Sequence, residues 1–290
     1  MKTYSSSGFV NEVEDQIDQR GQKRKIRFFD IPLEHEIPKT LSQTWLPIKV
    51  LKNEFRFNNT YIKNITELKS EYCGWRKVRG DGNCYYRAVI ASFLLKIFHP
   101  LSPLNKIYQF LQSLPKNELD YPSEFIQAKE KITEYISQLY NSSMHGYENR
   151  IECFRFLNNS LQDQEFDLNL IRFTRLLSHY AFTVTHHSRF ADFFIADEIL
   201  TISANILAMG TEAEGIELSS CPLGLGITVR QVNIFANLLY NTFPDETDSG
   251  DSLTKVNIIC KSRGHYDILY STEDMEKEKY CLREGCYNLK

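Results

Sequence analysis

The spacing of apolar residues divides the chain into a helical first part and a strand-rich last third. Residues 84–98 (CYYRAVIASFLLKIF) are apolar on almost every side, which is typical of a helix that is buried all round. Helical periodicity predicts further helices over 61–72, 104–112, 123–140, 147–160 and 164–182, and one helix or two short ones over 190–209.

The last third is rich in β-branched residues and changes to strand-like patterning. The polar segment 244–250 (PDETDSG) predicts a turn or loop within this part. The segments that predict short strands are 227–235, 256–260 and 266–270. Helices followed by a small, mostly antiparallel sheet indicate a single α+β domain, which we expect to span residues 41–290.

Composition and charge narrow the class of protein. Of the 290 residues, 42% are hydrophobic and 24% are charged, which is ordinary for a soluble globular chain. The net charge of −3 lacks the basic excess that nucleic-acid-binding proteins usually carry. The sequence has no apolar run of the ~18 residues that a membrane span needs. We therefore expect neither nucleic acid nor a membrane among the partners.

The N-terminal region and the cysteines bear on location. Residues 1–40 are polar and charged, which predicts a flexible N-terminal arm. The chain starts without an apolar stretch of signal-peptide length, and its seven scattered cysteines are odd in number. Both features favour free thiols in a reducing compartment and a cytoplasmic protein. The basic cluster at 20–27 leaves a nuclear signal, a docking strip and a merely solvated stretch of charge open.

A turn that leads into the buried helix carries the first candidate chemistry. Asp81, Gly82 and Asn83 precede Cys84, the first residue of the predicted helix. The positive end of the helix dipole favours the thiolate of such a cysteine, and the side chain of Asp81 or Asn83 is suited to cap the helix. The glycine lets backbone N–H groups face an incoming carbonyl, as an oxyanion site requires. This local pattern alone fits a catalytic cysteine and a structural cysteine equally well.

The second candidate group lies in the last predicted strand. Side chains two residues apart share a face of a strand, so His265 and Asp267 point the same way, roughly 6.5 Å apart along it. Asp267 is then placed to accept from one ring nitrogen of His265 and to hold the tautomer whose other nitrogen faces Cys84. A lone histidine on a strand edge is more often a surface residue, but the cysteine turn makes catalysis the better interpretation.

The two motifs together resemble a known family. DGNCYYRA, residues 81–88, is similar to the nucleophile motif of ovarian-tumour (OTU) deubiquitinases. With GHYDILY, residues 264–270, it resembles the otubain subfamily, and the resemblance covers roughly residues 41–271. It implies a papain-like cysteine protease (OTU) fold with the nucleophile at the N-terminus of a buried helix. It also implies hydrolysis of the isopeptide bond at the end of ubiquitin, without a metal or other cofactor.

The resemblance assigns roles to individual residues. It implies that Cys84 is the nucleophile, that His265 is the general base and that Asp267 orients His265. Asp81 is often counted with the catalytic set of the family. The residues implied to line the oxyanion site are Gly82 and Asn83. The implied partners are ubiquitin and polyubiquitin chains, and some otubains also bind ubiquitin-conjugating enzymes through an N-terminal arm.

The sequence departs from the otubain pattern near the implied site. Gly80 stands where proline is usual, Tyr85 where phenylalanine is common, and Gly215 where histidine is usual. We expect Pro222 to interrupt a helix of the family, because proline lacks the N–H and clashes with the preceding turn. Two alternatives therefore stay open: a catalytically weak or inactive protein that binds ubiquitin or conjugating enzymes, and a papain-like protease or transferase acting on another substrate.

Overall fold

The computed structural model describes residues 38–116, 120–190, 194–244, 254–261 and 264–286, and the backbone of 16–17 and 23–24. The chain divides into two units, Pro38–Asn288 and Met1–Ile37 with Leu289–Lys290. In the smaller unit, strand β1 (Gln16–Ile17) pairs with strand β2 (Lys23–Arg24) in antiparallel fashion. The predicted arm covers residues 1–40; its residues 38–40 belong to the larger unit, and the rest of residues 1–37 lies outside the described residues.

The larger unit begins with a mostly helical part. A 3-10 helix at Ile48–Phe55 is followed by the helices α1 (Asn59–Leu68), α2 (Cys84–Ile97), α3 (Asn105–Ser113), α4 (Ser123–Ser143), α5 (Tyr147–Ser160), α6 (Gln164–Tyr180), α7 (His187–Phe190), α8 (Ala196–Leu207) and α9 (Ile216–Leu225). A π-helical turn at Ala181–Thr185 continues α6, and α10 (Thr272–Arg283) follows the last strand. The helices predicted from periodicity are confirmed, with ends displaced by a few residues. No helix within the described ranges combines the length and the hydrophobicity that crossing a bilayer needs.

The strands of this unit form one six-stranded sheet in the order β3-β4-β8-β7-β5-β6. They are β3 (Leu46–Pro47), β4 (Tyr72–Arg76), β5 (Ile227–Asn233), β6 (Leu239–Phe243), β7 (Thr254–Lys261) and β8 (His265–Ser271). Neighbouring strands run antiparallel except β5 and β7, which are parallel. The predicted α+β class and the mostly antiparallel sheet are confirmed.

Helix α2 lies at the centre of the fold and positions the candidate cysteine. It packs on β7 and β8 with one side and on α6 with another, and its residues are buried except Lys96. Each large apolar side chain removed from water in this way stabilises the fold by about 1.5–3 kcal/mol. Because residues 84–97 are apolar on all sides, the helix is held between the sheet and α6, with Cys84 at its N-terminal end.

Helix α9 runs through Pro222, so the expectation that this proline interrupts the helix is wrong. Pro222 has no N–H to donate to the carbonyl oxygen of Leu218, four residues earlier. The buried hydroxyl of Tyr85 donates to that oxygen instead, at 2.9 Å. Tyrosine at position 85 thus satisfies the backbone acceptor that proline at position 222 leaves free, and the helix persists.

Candidate active site

The N-terminus of α2 meets the beginning of β8, which brings the two sequence motifs together. Cys84 is buried, and its sulfur lies 3.6 Å from the carbonyl oxygen of Gly264. The next residue, His265, is the first of β8, and the Cys84 side chain is among the groups that raise its pKa. Residues that are 181 positions apart along the chain are therefore neighbours across the helix–strand contact.

The alternation of β8 places Asp267 on the same face as His265. Nε2 of His265 lies 3.1 Å from Oδ1 of Asp267. The same oxygen accepts a hydrogen bond from the backbone N–H of Val78 at 2.8 Å, and Asp267 is fully buried. With Nε2 turned to Asp267, Nδ1 is the ring nitrogen that remains for Cys84. The arrangement has the connectivity of a Cys-His-Asp triad.

The charge states of His265 and Asp267 follow from this geometry. Burial lowers the pKa of His265, but the hydrogen bonds to Asp267 and to Cys84 outweigh it and raise the pKa to about 9. Burial raises the pKa of Asp267, but the charge of Lys261 and the contact with His265 hold it below its ordinary value. At neutral pH the pair is an imidazolium and a carboxylate, which is the form that stabilises a thiolate at Cys84.

Asp81 supports the turn rather than contacting His265. Its two carboxylate oxygens accept hydrogen bonds from Arg87 at 2.9 and 2.8 Å, and one also accepts from the N–H of Asn83 at 3.1 Å. Arg87 donates two further hydrogen bonds to Asp167, at 2.7 and 2.8 Å. Burial raises the pKa of Asp81, but Arg87 and the Asn83 N–H lower it below its ordinary value. The structure therefore places Asp81 as an anchor of the loop that precedes the cysteine.

The predicted cap of α2 is wrong, because the side chains of Asp81 and Asn83 bond elsewhere. Oδ1 of Asn83 accepts from the N–H of Gly210 at 2.9 Å and from Arg175 at 3.0 Å. Gly82 has φ +77°, and a Cβ at this position would lie 1.8 Å from the carbonyl oxygen of Gly210. The turn is thus clamped to the loop at residue 210. The first N–H groups of α2 lack intrahelical partners, as in any helix, and an oxyanion site needs such donors.

Two further departures from the otubain pattern have a local explanation. Gly80 borders the ring of His265, and a Cβ built there would lie 2.9 Å from Nδ1. The glycine therefore leaves the space that this orientation of the ring occupies. Gly215 precedes α9 with φ +51°, in the left-handed region that favours glycine over residues with a side chain. Both glycines fit the backbone and the ring that surround them.

Three buried cations that sequence reasoning missed hold the site together. Arg87 joins Asp81 to Asp167, Arg175 joins the cysteine turn to the carbonyl oxygen of Thr211 at 2.7 Å, and Lys261 lies 2.6 Å from Asp267. A cation within an apolar helix or strand signals a buried partner, because an unpaired buried charge is costly. The sequence contains this signal but does not name the partners, which lie far away in the chain.

Comparisons with known proteins agree with this site and fold. The family model described as Peptidase C65 Otubain matches residues 34–271. Human ubiquitin thioesterase OTUB2 is 26% identical over 228 residues, which cover 74% of this chain and 89% of that protein. The OVARIAN TUMOR DOMAIN-containing deubiquitinating enzyme 1 of Arabidopsis thaliana is 23% identical over 252 residues, with 77% and 78% covered.

The solved structures that are similar to this chain support the fold. A structure of a complex of ceOTUB1, ubiquitin aldehyde and UBC13~Ub matches with a TM-score of 0.65 and 19% identity, covering 80% of this chain and 94% of that chain. A complex of h/ceOTUB1 with ubiquitin aldehyde and UBCH5B~Ub matches with a TM-score of 0.63, also at 19% identity, covering 80% and 90%. The predicted papain-like OTU fold is confirmed.

Proposed function

The chain belongs to the peptidase C65 otubain family, and on that premise we propose that it is a cysteine-type deubiquitinase. Its reaction is hydrolysis of the isopeptide bond between the C-terminal glycine of ubiquitin and a lysine side chain. The observation that carries the proposal is the assembled Cys84, His265 and Asp267 set, with 3.1 Å between Nε2 of the histidine and Oδ1 of the aspartate. The relatives named above are a ubiquitin thioesterase and a deubiquitinating enzyme.

The first half of the reaction transfers the ubiquitin acyl group to the enzyme. The Cys84 thiolate attacks the glycine carbonyl carbon, a C–S bond forms, and the oxyanion is stabilised by N–H donors of the first turn of α2. The imidazolium of His265 then donates its proton to the lysine nitrogen as the C–N bond breaks. The lysine amine leaves, and ubiquitin remains as a thioester on Cys84.

The second half returns the enzyme to its starting state. Neutral His265 takes a proton from a water molecule, which attacks the thioester carbonyl. The tetrahedral intermediate collapses, the C–S bond breaks, and sulfur leaves as the thiolate beside the restored imidazolium. Ubiquitin departs with a free C-terminal carboxylate. Asp267 stabilises the imidazolium before acylation and after deacylation, and it does not itself take up the proton.

We propose ubiquitin and polyubiquitin chains as substrates and ubiquitin-conjugating enzymes as a second class of partner. The similar solved structures hold ubiquitin aldehyde with UBC13~Ub or UBCH5B~Ub. The alternative of an inactive binding protein rests on the altered region between residues 212 and 222, and the intact α9 removes the part of that argument that concerns Pro222. We propose the cytoplasm as the site of action, since the odd number of scattered cysteines favours free thiols in a reducing compartment.

The proposal is tested by cleavage of ubiquitin dimers of defined linkage, with the intact chain and two cysteine variants. We expect the wild-type protein to release single ubiquitin, and Cys84→Ala to release none while still binding ubiquitin. The matched control is Cys73→Ala, which removes an exposed free thiol on β4 and is expected to cleave as the wild type does. Wild-type binding without cleavage would favour a binding protein, and no affinity for ubiquitin would point to another substrate.

A further inference from the structure

A buried lysine lies behind the candidate catalytic pair. Lys261 is the last residue of β7 and the direct cross-strand partner of His265 on β8. Its side chain is only 7% exposed, and its ammonium lies 2.6 Å from Oδ2 of Asp267. The two oxygens of Asp267 therefore have different partners, with His265 and the N–H of Val78 at Oδ1 and Lys261 at Oδ2.

The ammonium of Lys261 is anchored from its far side. Oε2 of Glu54, on the 3-10 helix, accepts from Lys261 at 2.8 Å, and Oε1 of Glu54 lies 3.1 Å from the ammonium of Lys77. The ring of Trp75 lies 5.0 Å from the Lys261 nitrogen, within cation–π range. Burial lowers the pKa of Lys261, but Asp267 and Glu54 outweigh it and raise the pKa above its ordinary value. Lys261 is therefore charged at every pH at which the site works.

We propose that Lys261, anchored by Glu54, is a positioning residue of the active site that fixes the carboxylate of Asp267 and shares its negative charge with His265. A carboxylate that also faces a second cation stabilises the imidazolium less than a carboxylate that faces the imidazolium alone. His265 must hold its proton to stabilise the thiolate and then give it to the lysine leaving group. Lys261 weakens the hold of His265 on its proton, so that His265 transfers the proton to the leaving group more readily.

Titratable and charged groups from several elements surround His265 and Lys261. Glu212 contributes a carboxylate, which would lie 2.9 Å from a Cβ at Gly264. The others are Asp267 and Tyr266 on β8, Lys261 and Cys260 on β7, Cys84 on α2, and Glu54 with its partner Lys77. The charge of Lys261 opposes protonation of His265. Removal of the Lys261 charge should therefore raise the pKa of His265.

The test is the pH dependence of Cys84 alkylation by iodoacetate in the full chain. The negative charge of iodoacetate makes its reaction depend on the imidazolium of His265, so the rate falls as this group loses its proton. In the wild type we expect the fall near pH 9, at the pKa of His265. In Lys261→Met the fall should move to higher pH by about half a unit or more, because a close cation has been removed. Lys255→Met, an exposed lysine of the same strand, is the matched control and should show no movement.

Companion variants separate the charge from the shape of the side chain. Lys261→Arg keeps the charge and should restore the wild-type profile. Lys261→Gln keeps hydrogen-bond donors without the charge and should show the same upward shift, which carries the test if the methionine variant does not fold. In an Asp267→Asn background the Lys261→Met shift should become smaller, since only the direct repulsion between Lys261 and His265 remains. A folded neutral variant whose profile stays in place or moves down would overturn the proposal.

The inference deepens the proposed function, but the two can fail separately. Alkylation by iodoacetate involves no ubiquitin, so it reports on Cys84 and His265 whatever the substrate is. A shifted alkylation profile without ubiquitin cleavage would leave the role of Lys261 intact and refute the deubiquitinase. Cleavage of ubiquitin with an unshifted profile would do the reverse.

Discussion

Replacing Asp267 with asparagine tests the electrostatics of the site most informatively. The amide keeps an oxygen for the N–H of Val78, which now donates to Oδ1 at 2.8 Å. It removes the charge that faces His265 at 3.1 Å and Lys261 at 2.6 Å. Lys261 retains its hydrogen bond to Glu54, so we expect the variant to fold. Circular dichroism checks this expectation.

The magnitude follows from the pKa of His265, which is raised from 6.5 to about 9 mainly by Asp267. A difference of this size corresponds to about 3 kcal/mol in the stability of the imidazolium. If the pKa returns to 6.5, about one tenth of His265 keeps its proton at pH 7.5, so loss of the Asp267 charge should lower kcat/KM there by about tenfold or more. The basic limb of the pH profile should move down from about 9 toward the ordinary value of 6.5.

The assay is hydrolysis of ubiquitin that carries a fluorogenic amide at its C-terminus, followed over a series of pH values. Asp163→Asn is the matched control, since Asp163 caps α6 through the N–H of Phe166 and asparagine caps as well as aspartate. It should retain the wild-type profile. A rate for Asp267→Asn within about threefold of wild type, with an unmoved basic limb, would refute the orienting role of Asp267.

The remaining predictions concern the turn and its supports. Tyr85→Phe leaves the carbonyl oxygen of Leu218 without a donor, so the free energy of unfolding in urea should fall by about 1–3 kcal/mol; an unchanged value would contradict the assigned bond. Gly82→Ala places a Cβ 1.8 Å from a backbone oxygen of the facing loop and should lower kcat/KM at least tenfold, or about 100-fold for a 1 Å displacement. Gly146→Ala, also at positive φ but with open space around its Cβ, should keep the wild-type kcat/KM, and equal losses in both would exclude the steric explanation.

The sequence predicts those elements whose pattern is local and strong. The residues of α2 are apolar on every face, so both the helix and its burial follow from composition alone. The alternation of β8 puts His265 and Asp267 on one face, where their side chains are in hydrogen-bonding contact. That these two elements meet at Cys84 comes from the resemblance to otubains, since no local pattern fixes a contact between residues so far apart.

Other elements escape sequence reasoning for physical reasons. Strand β4 (YCGWR) contains a glycine and an arginine, and the burial of Arg76 depends on acceptors such as the carbonyl oxygen of Ser42. Strand β6 (LYNTF) lies at the edge of the sheet and is largely exposed, so it lacks an apolar stripe. In α10 the buried face includes the carboxylate of Glu278, which hides the helical pattern. Each depends on partners that only the folded chain provides.

The buried cations show the same limit at the site itself. Lys261 stands at the end of an apolar strand, where its charge looks like a solvated strand end. Only the fold brings it against Asp267 and Glu54, on two other elements. Its effect on His265 therefore cannot be read from the motif GHYDILY, although it acts directly on the residues of that motif.

The central claim, that Cys84 is a nucleophile toward the ubiquitin C-terminus, is tested most directly by ubiquitin carrying a thiol-reactive group in place of its C-terminal carboxylate. The wild-type chain should gain the mass of one ubiquitin, and peptide mapping should place the bond at Cys84. The adduct should vanish in Cys84→Ala. It should persist in Cys73→Ala, a variant in which an exposed thiol away from the site is removed. A folded wild-type chain that forms no adduct, or forms it at another cysteine, would contradict the account.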